Sequence, residues 1–287
     1  MTKYSATEYG AKHSTNYQVY LCTENNTISA WHDIPLHSST DSNIINMVVE
    51  IPRWTNAKME ISKSKKLNPI VQDVKKDKLR YVNNIFPYKG YIWNYGAVPQ
   101  TWENPKHIDS DTKCAGDNDP LDIVEIGSKI FPCGSIIPVK PLGILAMIDE
   151  GETDWKVVAI ACSDPLAEKL NDIQDVEKEM PGYLEATRRW FKDYKRPQGK
   201  PENSFAFNGE YQNKEFTMRI IKETHDQWIS MISSEEEKDG ISRDNLLVKT
   251  NPHAINESDV KEITSKLPAF ASSKLPKLEE LEKWYYY

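Results

Sequence analysis

The stretch Leu142-Gly-Ile-Leu-Ala-Met-Ile-Asp-Glu-Gly-Glu-Thr-Asp-Trp-Lys-Val-Val-Ala-Ile-Ala161 holds two apolar runs, Leu142 to Ile148 and Trp155 to Ala161, separated by an acidic tip around Gly151. It reads as a β-hairpin. Hairpin geometry brings Asp149 and Asp154 close together, and Lys156 shares a strand face with Asp154. A cation beside a carboxylate suits a site that holds both a metal and an anion. Taken alone, however, such a tip is ordinarily a solvated polar turn.

Similar runs precede the hairpin at Tyr17 to Leu21, Ile44 to Ile51, Tyr91 to Tyr95 and Gly134 to Val139, each bounded by Pro, Gly, Asn or Asp. The pattern predicts a twisted antiparallel sheet or small barrel rather than alternating β and α units. Helical spacing follows in Leu184, Thr187, Arg188, Phe191 and Tyr194, with Pro181 expected at the first helical position. A second helix is expected through Phe216, Ile220, Ile221, Thr224, Trp228 and Met231, ending at the polar run 233–240. Beyond it the Pro, Ser and Lys content predicts an extended tail wrapping the domain, fastened by Trp284 to Tyr287. The expected architecture is mainly β (α+β): a barrel with outer helices and extended terminal segments. It forms one domain over 1–287, with its core at about 17–232 and a C-terminal segment at 233–287.

With 39% apolar and 28% charged residues the chain has the composition of a globular protein. A net charge of −7 argues against a surface that tracks nucleic acid or an anionic membrane, so any anionic ligand must be met by a local basic pocket. Cys22, Cys114, Cys133 and Cys162 are scattered without a Cys-x-x-Cys pair or zinc spacing, which predicts a reduced compartment. No secretory signal and no apolar run of membrane-spanning length is evident, so a cytoplasmic location is expected. There is also no phosphate-binding Gly-x-x-x-x-Gly-Lys-Ser/Thr loop.

The chemistry concentrates in Gly116-Asp-Asn-Asp-Pro-Leu-Asp122, where Asp117, Asp119 and Asp122 would repel one another unless a divalent cation neutralised them. In an extended segment Asp117 and Asp119 face the same way, and Pro120 can bend the chain so that Asp122 returns toward them. An open acidic loop of this kind suits magnesium, which keeps several waters and takes few carboxylates plus substrate phosphate. A solvated acidic turn is the plain alternative. An EF-hand fits poorly, because its glycine position is Asp122 and its twelfth is Ser128. Lys58 and Glu60 pair another cation with a carboxylate on one strand face, and Arg80, Tyr95, Tyr194 and Lys195 offer further phosphate donors. Each taken alone is more readily structural than functional; only convergence would make them a site.

Four segments together resemble the soluble family I inorganic pyrophosphatases of the longer eukaryotic cytosolic type. They are Asp117-Asn-Asp-Pro-Leu-Asp122, Glu50-Ile-Pro-Arg-Trp-Thr-Asn-Ala-Lys58, Gly90-Tyr-Ile-Trp-Asn-Tyr-Gly96 and Asp149-Glu-Gly-Glu-Thr-Asp-Trp-Lys156. The resemblance runs from about Tyr17 to Trp228 and returns in the terminal Lys-Trp-aromatic ending. It implies a compact five-stranded OB-like barrel. It also implies that Asp117, Asp122 and Asp154 bind activating magnesium ions, with Asp149 and Glu60 contacting the metals that arrive with substrate. Several ions would occupy each site, and manganese or other divalent ions could replace magnesium.

On the same resemblance Asp119 is the general base, and Lys58, Arg80, Tyr95, Lys156, Tyr194 and Lys195 contact phosphoryl oxygens. The implied reaction is hydrolysis of inorganic pyrophosphate to two orthophosphates by direct attack of a metal-activated water. A homodimer with contacts near Arg53 and Trp54 is implied as well. Lys89 and Trp93 stand near that contact, where relatives often carry histidine, and Cys114 stands where they carry a small apolar residue. Cys114 reads either as a buried small side chain or as an oxidisable thiol. Two other functions compete: a broader phosphoanhydride hydrolase acting on nucleotides, and a noncatalytic OB-like binding module.

Overall fold

Five segments with few exposed side chains form the centre of the molecule: β1 (Ile45–Ile51), β2 (Asn94–Ala97), β3 (Asp122–Glu125), β4 (Ile136–Asp149) and β5 (Glu152–Ala161). The computed structural model describes residues 3–38, 41–236, 240–249, 251–274 and 279–287. Backbone pairing runs from β5 through β3, β2, β1 and β4 back to β5, which closes the sheet into a barrel of mainly-β, OB-like character. A ring of five strands cannot alternate direction all the way round, because five is odd. The unavoidable parallel pair is β3 with β5, Asp122 lying opposite Lys156. The antiparallel sheet expected from the apolar runs is therefore corrected to a mixed one.

Alternate residues of β1, β3, β4 and β5 enter two different apolar clusters. Val124, Leu145, Val158 and Ile160 belong to one, and Ile123, Ile144, Val157 and Ala159 to the other. Burial on both faces explains the near-continuous apolar runs. The separate runs expected at 134–139 and 142–148 are one strand, since a bulge between Pro141 and Gly143 bends β4 without ending it. The strand expected at 91–95 begins three residues later, at Asn94. The β4–β5 tip is a two-residue turn with positive φ at both Glu150 and Gly151, as the twist of a tight hairpin demands.

Two helices lie outside the barrel, α1 (Tyr183–Asp193) and α2 (Lys214–Ser233). Gly182, at φ 82°, caps α1, so Pro181 lies before the cap rather than at the first helical position. Leu184, Thr187, Trp190 and Phe191 form its buried face. A shorter helix, Ile173–Glu179, precedes it and was not expected; it opens on a reciprocal cap between Asp172 and Asp175 and is too short to show periodicity. Helix α2 begins on the Asn213 cap, buries Ile220, Ile221, Thr224, Trp228 and Met231, and stops at Ser233. Positions 237–239 of the polar run expected after it lie outside the described residues.

A second sheet packs beside the barrel, with strands Ser5–Tyr9, Gln18–Cys22, Ile70–Gln72 and Met59–Ile61 in that order. The C-terminal residues are not extended throughout, because Asn256 caps a helix at Glu257–Ser265. Leu246 and Leu247 donate backbone hydrogen bonds to buried Asp33, and Trp284–Tyr285 pairs in parallel with Asn84–Ile85. Among the described residues, no helix is long and apolar enough to cross a membrane.

Barrel closure brings β1 and β2 so close at Gly96 that an added Cβ would lie 1.9 Å from the Val48 carbonyl oxygen. Gly96→Ala should therefore lower the urea midpoint severely or leave the protein insoluble. Gly151→Ala meets no atom within 4 Å and strains only a positive φ, so it should cost about 1–2 kcal/mol. Equal midpoints for the two variants would contradict this account of the β1–β2 approach.

Candidate active site

The parallel β3–β5 pair sets the charged centre. Asp122 lies opposite Lys156, and Asp154 stands two residues before Lys156 on the same strand face. Along that face the charges give way to Val124, Val158 and Ile160 of the apolar core, so the site is the polar end of a core layer. Lys156, 3% exposed, donates to both Asp122 and Asp154. Tyr95 on β2 donates to Asp122 and accepts from Lys156 at 3.1 Å. At the hairpin tip Asp149 pairs with Glu152, which leaves Asp149 and Asp154 on one face, diagonal to each other rather than opposite.

The loop before β3 adds Asp117 and Asp119. Asn118 adopts φ 69°, its side-chain oxygen accepts from Trp102 Nε1 at 2.9 Å, and the backbone of Asp119 donates to Asp117 Oδ1 at 3.0 Å. Glu103 brackets the loop through its main chain, with its N–H on the Asp119 carbonyl and its carbonyl on the Asn118 N–H, both at 2.9 Å. Gly116 makes this approach possible, for a Cβ there would sit 2.4 Å from the Glu103 carbonyl carbon.

Two other elements complete the ring. From the second sheet, Lys58 lies 2.6 Å from Glu60 and 3.3 Å from Asp73, and Asp73 also pairs with Arg80. Past the end of α1 come Tyr194 and Lys195, the latter pairing with Asp149. An aromatic wall holds α1 in place: Trp93 stacks on Phe191 at 4.8 Å, Trp190 on Tyr194 at 5.0 Å, and Trp93 Nε1 donates to Thr187 at 2.8 Å. All twelve expected site residues face one cavity of about 140 Å³. Asp117, Asp119, Asp122, Asp149, Asp154 and Glu60 supply the carboxylates, and Lys58, Arg80, Lys156, Lys195, Tyr95 and Tyr194 the donors.

Burial dominates the electrostatics. It pushes Asp154 up to about 7, against the pull of Lys156 and with the repulsion of Asp122. Asp117 is held well above the usual carboxylate range by burial and then by Asp154, Asp119 and Asp122. Glu103 is raised in the same way by burial, Asp117 and Asp154. Burial alone would lower the Lys156 ammonium, but Asp122 and Asp154 outweigh it and raise its pKa. Burial opposes the ionised form of Asp73, yet Lys58 and Arg80 bring its pKa below the ordinary value.

The donor set is therefore oxygen-only, crowded and under-neutralised, which suits a hard divalent cation. One oxygen each from Glu103, Asp117 and Asp154 lie within 4.8 Å of one another, and among the described residues Glu103 Oε2 is buried without a hydrogen-bond partner. These residues fit a magnesium-class ion.

Several cavity neighbours escaped the sequence reading. Lys63 pairs with Asp119 at 2.8 Å, Tyr91 lines the wall, and buried Glu50 accepts the Ile61 N–H at 2.6 Å. Asp73 and Glu103 lie outside any acidic run, so no local signal marks them. Trp93, read as lying near a subunit contact, is fully buried beneath α1, whereas Lys89 and Trp54 are exposed and Arg53 is buried, donating to the Glu125 carbonyl. Cys114 is half-buried, and the four cysteines are free thiols.

Residues 47–229 match the family described as Inorganic pyrophosphatase. Along the whole chain, the sequence is 53% identical to the inorganic pyrophosphatase of Mus musculus, covering 100% of this chain and 99% of that protein. It is 52% identical to that of Homo sapiens with the same coverage. The solved structure of inorganic pyrophosphatase from Schistosoma japonicum superposes with a TM-score of 0.94 at 53% identity, covering 98% of this chain and all of that one. A family match across most of the sequence, and relatives more than half identical from end to end, mean that this chain belongs to the inorganic pyrophosphatase family.

Proposed function

We infer that this chain hydrolyses inorganic pyrophosphate to two orthophosphates with the help of several divalent cations, magnesium above all. The observation that carries the reading is the convergence of seven carboxylates with four cationic side chains and three phenols in one small cavity. Its volume of about 140 Å³ is below the roughly 300–1,000 Å³ of pockets for organic ligands, which favours a small inorganic anion over a nucleotide.

Asp117, Asp122 and Asp154 would hold the resident cations, with Asp149 and Glu60 nearer the substrate. Bound there, magnesium supplies charge neutralisation and acidifies the attacking water, whose pKa metal coordination can lower from 15.7 to roughly 7. Asp119, whose side chain is 44% exposed and pairs with Lys63, takes the proton. Lys58, Arg80, Tyr95, Lys156, Tyr194 and Lys195 bind the phosphoryl oxygens, holding the substrate for direct displacement without a phosphoenzyme. Asp73 aims Lys58 and Arg80 together through its shared oxygen.

The chain would act as one domain in the cytoplasm, its segment 233–287 tied to the barrel through Asp33 and the Asn84–Ile85 pairing. Exposed Trp54 and the exposed group Phe86, Trp284 and Tyr286 support a homodimer.

Phosphate release from pyrophosphate should require magnesium, be inhibited by calcium, and exceed release from nucleoside triphosphates by at least about tenfold in kcat/KM. Release from triphosphates at an equal rate would favour the broader hydrolase, and no release from either would leave a binding module. Asp119→Asn should fold and bind manganese like the parent yet turn over roughly 10²- to 10⁴-fold more slowly; near-parental turnover rejects it as the base.

A pH dependence follows from Asp154. Its pKa rises from 3.8 in the unfolded chain to about 7 in the folded one, so between these values the folded state holds more protons. The metal-free protein should thus lose stability as pH rises through that window. Magnesium replaces the protons, so the gain in Tm from magnesium over EDTA should grow from about pH 5 to about pH 8. A gain independent of pH would place the metal elsewhere.

A further inference from the structure

Glu103 is a buried carboxylate beside the aspartate loop whose side chain the reaction described above leaves unused. It is 3% exposed. Its Oε1 accepts the Trp155 N–H at 3.1 Å, and its Oε2 has no hydrogen-bond partner among the described residues. No lysine or arginine forms an ion pair with it there, whereas Lys156 serves Asp122 and Asp154, and Lys195 serves Asp149.

Nothing in the local architecture calls for that second oxygen. The loop is held by the Glu103 main chain, and the Trp155 N–H would be satisfied equally by a glutamine carbonyl. A bare carboxylate oxygen in a buried place is costly unless a cation meets it. Like charges meet at this carboxylate: one oxygen each of Glu103, Asp117 and Asp154 lie within 4.8 Å of one another. Opposite ligands of a magnesium ion are separated by about 4.2 Å, so small side-chain rotations would gather the three.

We propose that Glu103 is a further cation ligand of this site, its Oε2 joining Asp117 and Asp154 around the most deeply buried divalent ion. The assignment rests on the metal-dependent reading above. Main-chain brackets to Asp119 and Asn118 make the ligand rigid with respect to the loop, so cation binding ties β5, the aspartate loop and the 101–104 segment into one unit. Glu103 also borders a small second cavity with His107, Asp109 and Gln227, on the side next to α2. The ion would therefore lie between the catalytic cavity and the helix layer.

The test uses the full chain with manganese as probe, counting bound ions by equilibrium dialysis and electron paramagnetic resonance. Glu103→Gln should weaken the tightest class by roughly tenfold or more while leaving weaker classes in place. The rise in Tm produced by manganese should shrink in the same variant. A merely structural glutamate would lower Tm equally with and without manganese, and that result would overturn the proposal even if the variant is poorly stable. Asp122→Asn serves as the control. If it loses manganese while Glu103→Gln titrates like the parent, only the Glu103 assignment falls; if the parent itself binds no manganese, the metal-dependent reading falls with it.

Discussion

Lys156 lies between Asp122 and Asp154 at the floor of the cavity, and the site depends on that contact. Burying several carboxylates together is unfavourable twice over, through lost hydration and mutual repulsion. The ammonium offsets part of both terms for two of them. Among the described residues Asp117 and Glu103 receive no such partner, and burial with mutual repulsion holds both well above the usual carboxylate range. A cavity built this way is suited to protons or divalent cations according to which is available, which would couple its fold to its chemistry.

Barrel closure makes the contact possible. With five strands, one adjacent pair must be parallel, and here it is β3 with β5. Parallel register sets Asp122 beside Lys156, and β2 on the other flank of β3 brings Tyr95 to the same carboxylate. The same strands continue into the apolar core, so the charged groups stand on a closely packed base. Cavity residues from the second sheet and from beyond α1 are anchored separately, by Asp73 on one side and by the Trp93, Trp190 and Phe191 stack on the other.

Much of this was legible in the residues. Apolar runs marked every barrel strand but β3, helical spacing marked α2 and most of α1, and the acidic loop and hairpin tip marked the polar end of the core. Basic and phenolic residues were recognisable only as an inventory, and family resemblance is what joined them. Glu103, Asp73 and Lys63 stayed hidden because each lies among ordinary surface-like residues and acquires its role by meeting a segment distant in sequence.

By itself the sequence determined the local matters: hydrophobic period, turn chemistry, helix caps, and the spacing of carboxylates within one loop or strand face. These depend on neighbours a few residues apart, whose relative geometry the backbone dictates. Only the tertiary structure decided which strand pair runs parallel, which lysine neutralises which aspartate, that Trp93 lies beneath a helix, and that the buried Glu103 carboxylate meets Asp117 and Asp154. Those outcomes follow from ring closure and from burial, which act on the whole chain at once and leave no trace in any single stretch of it.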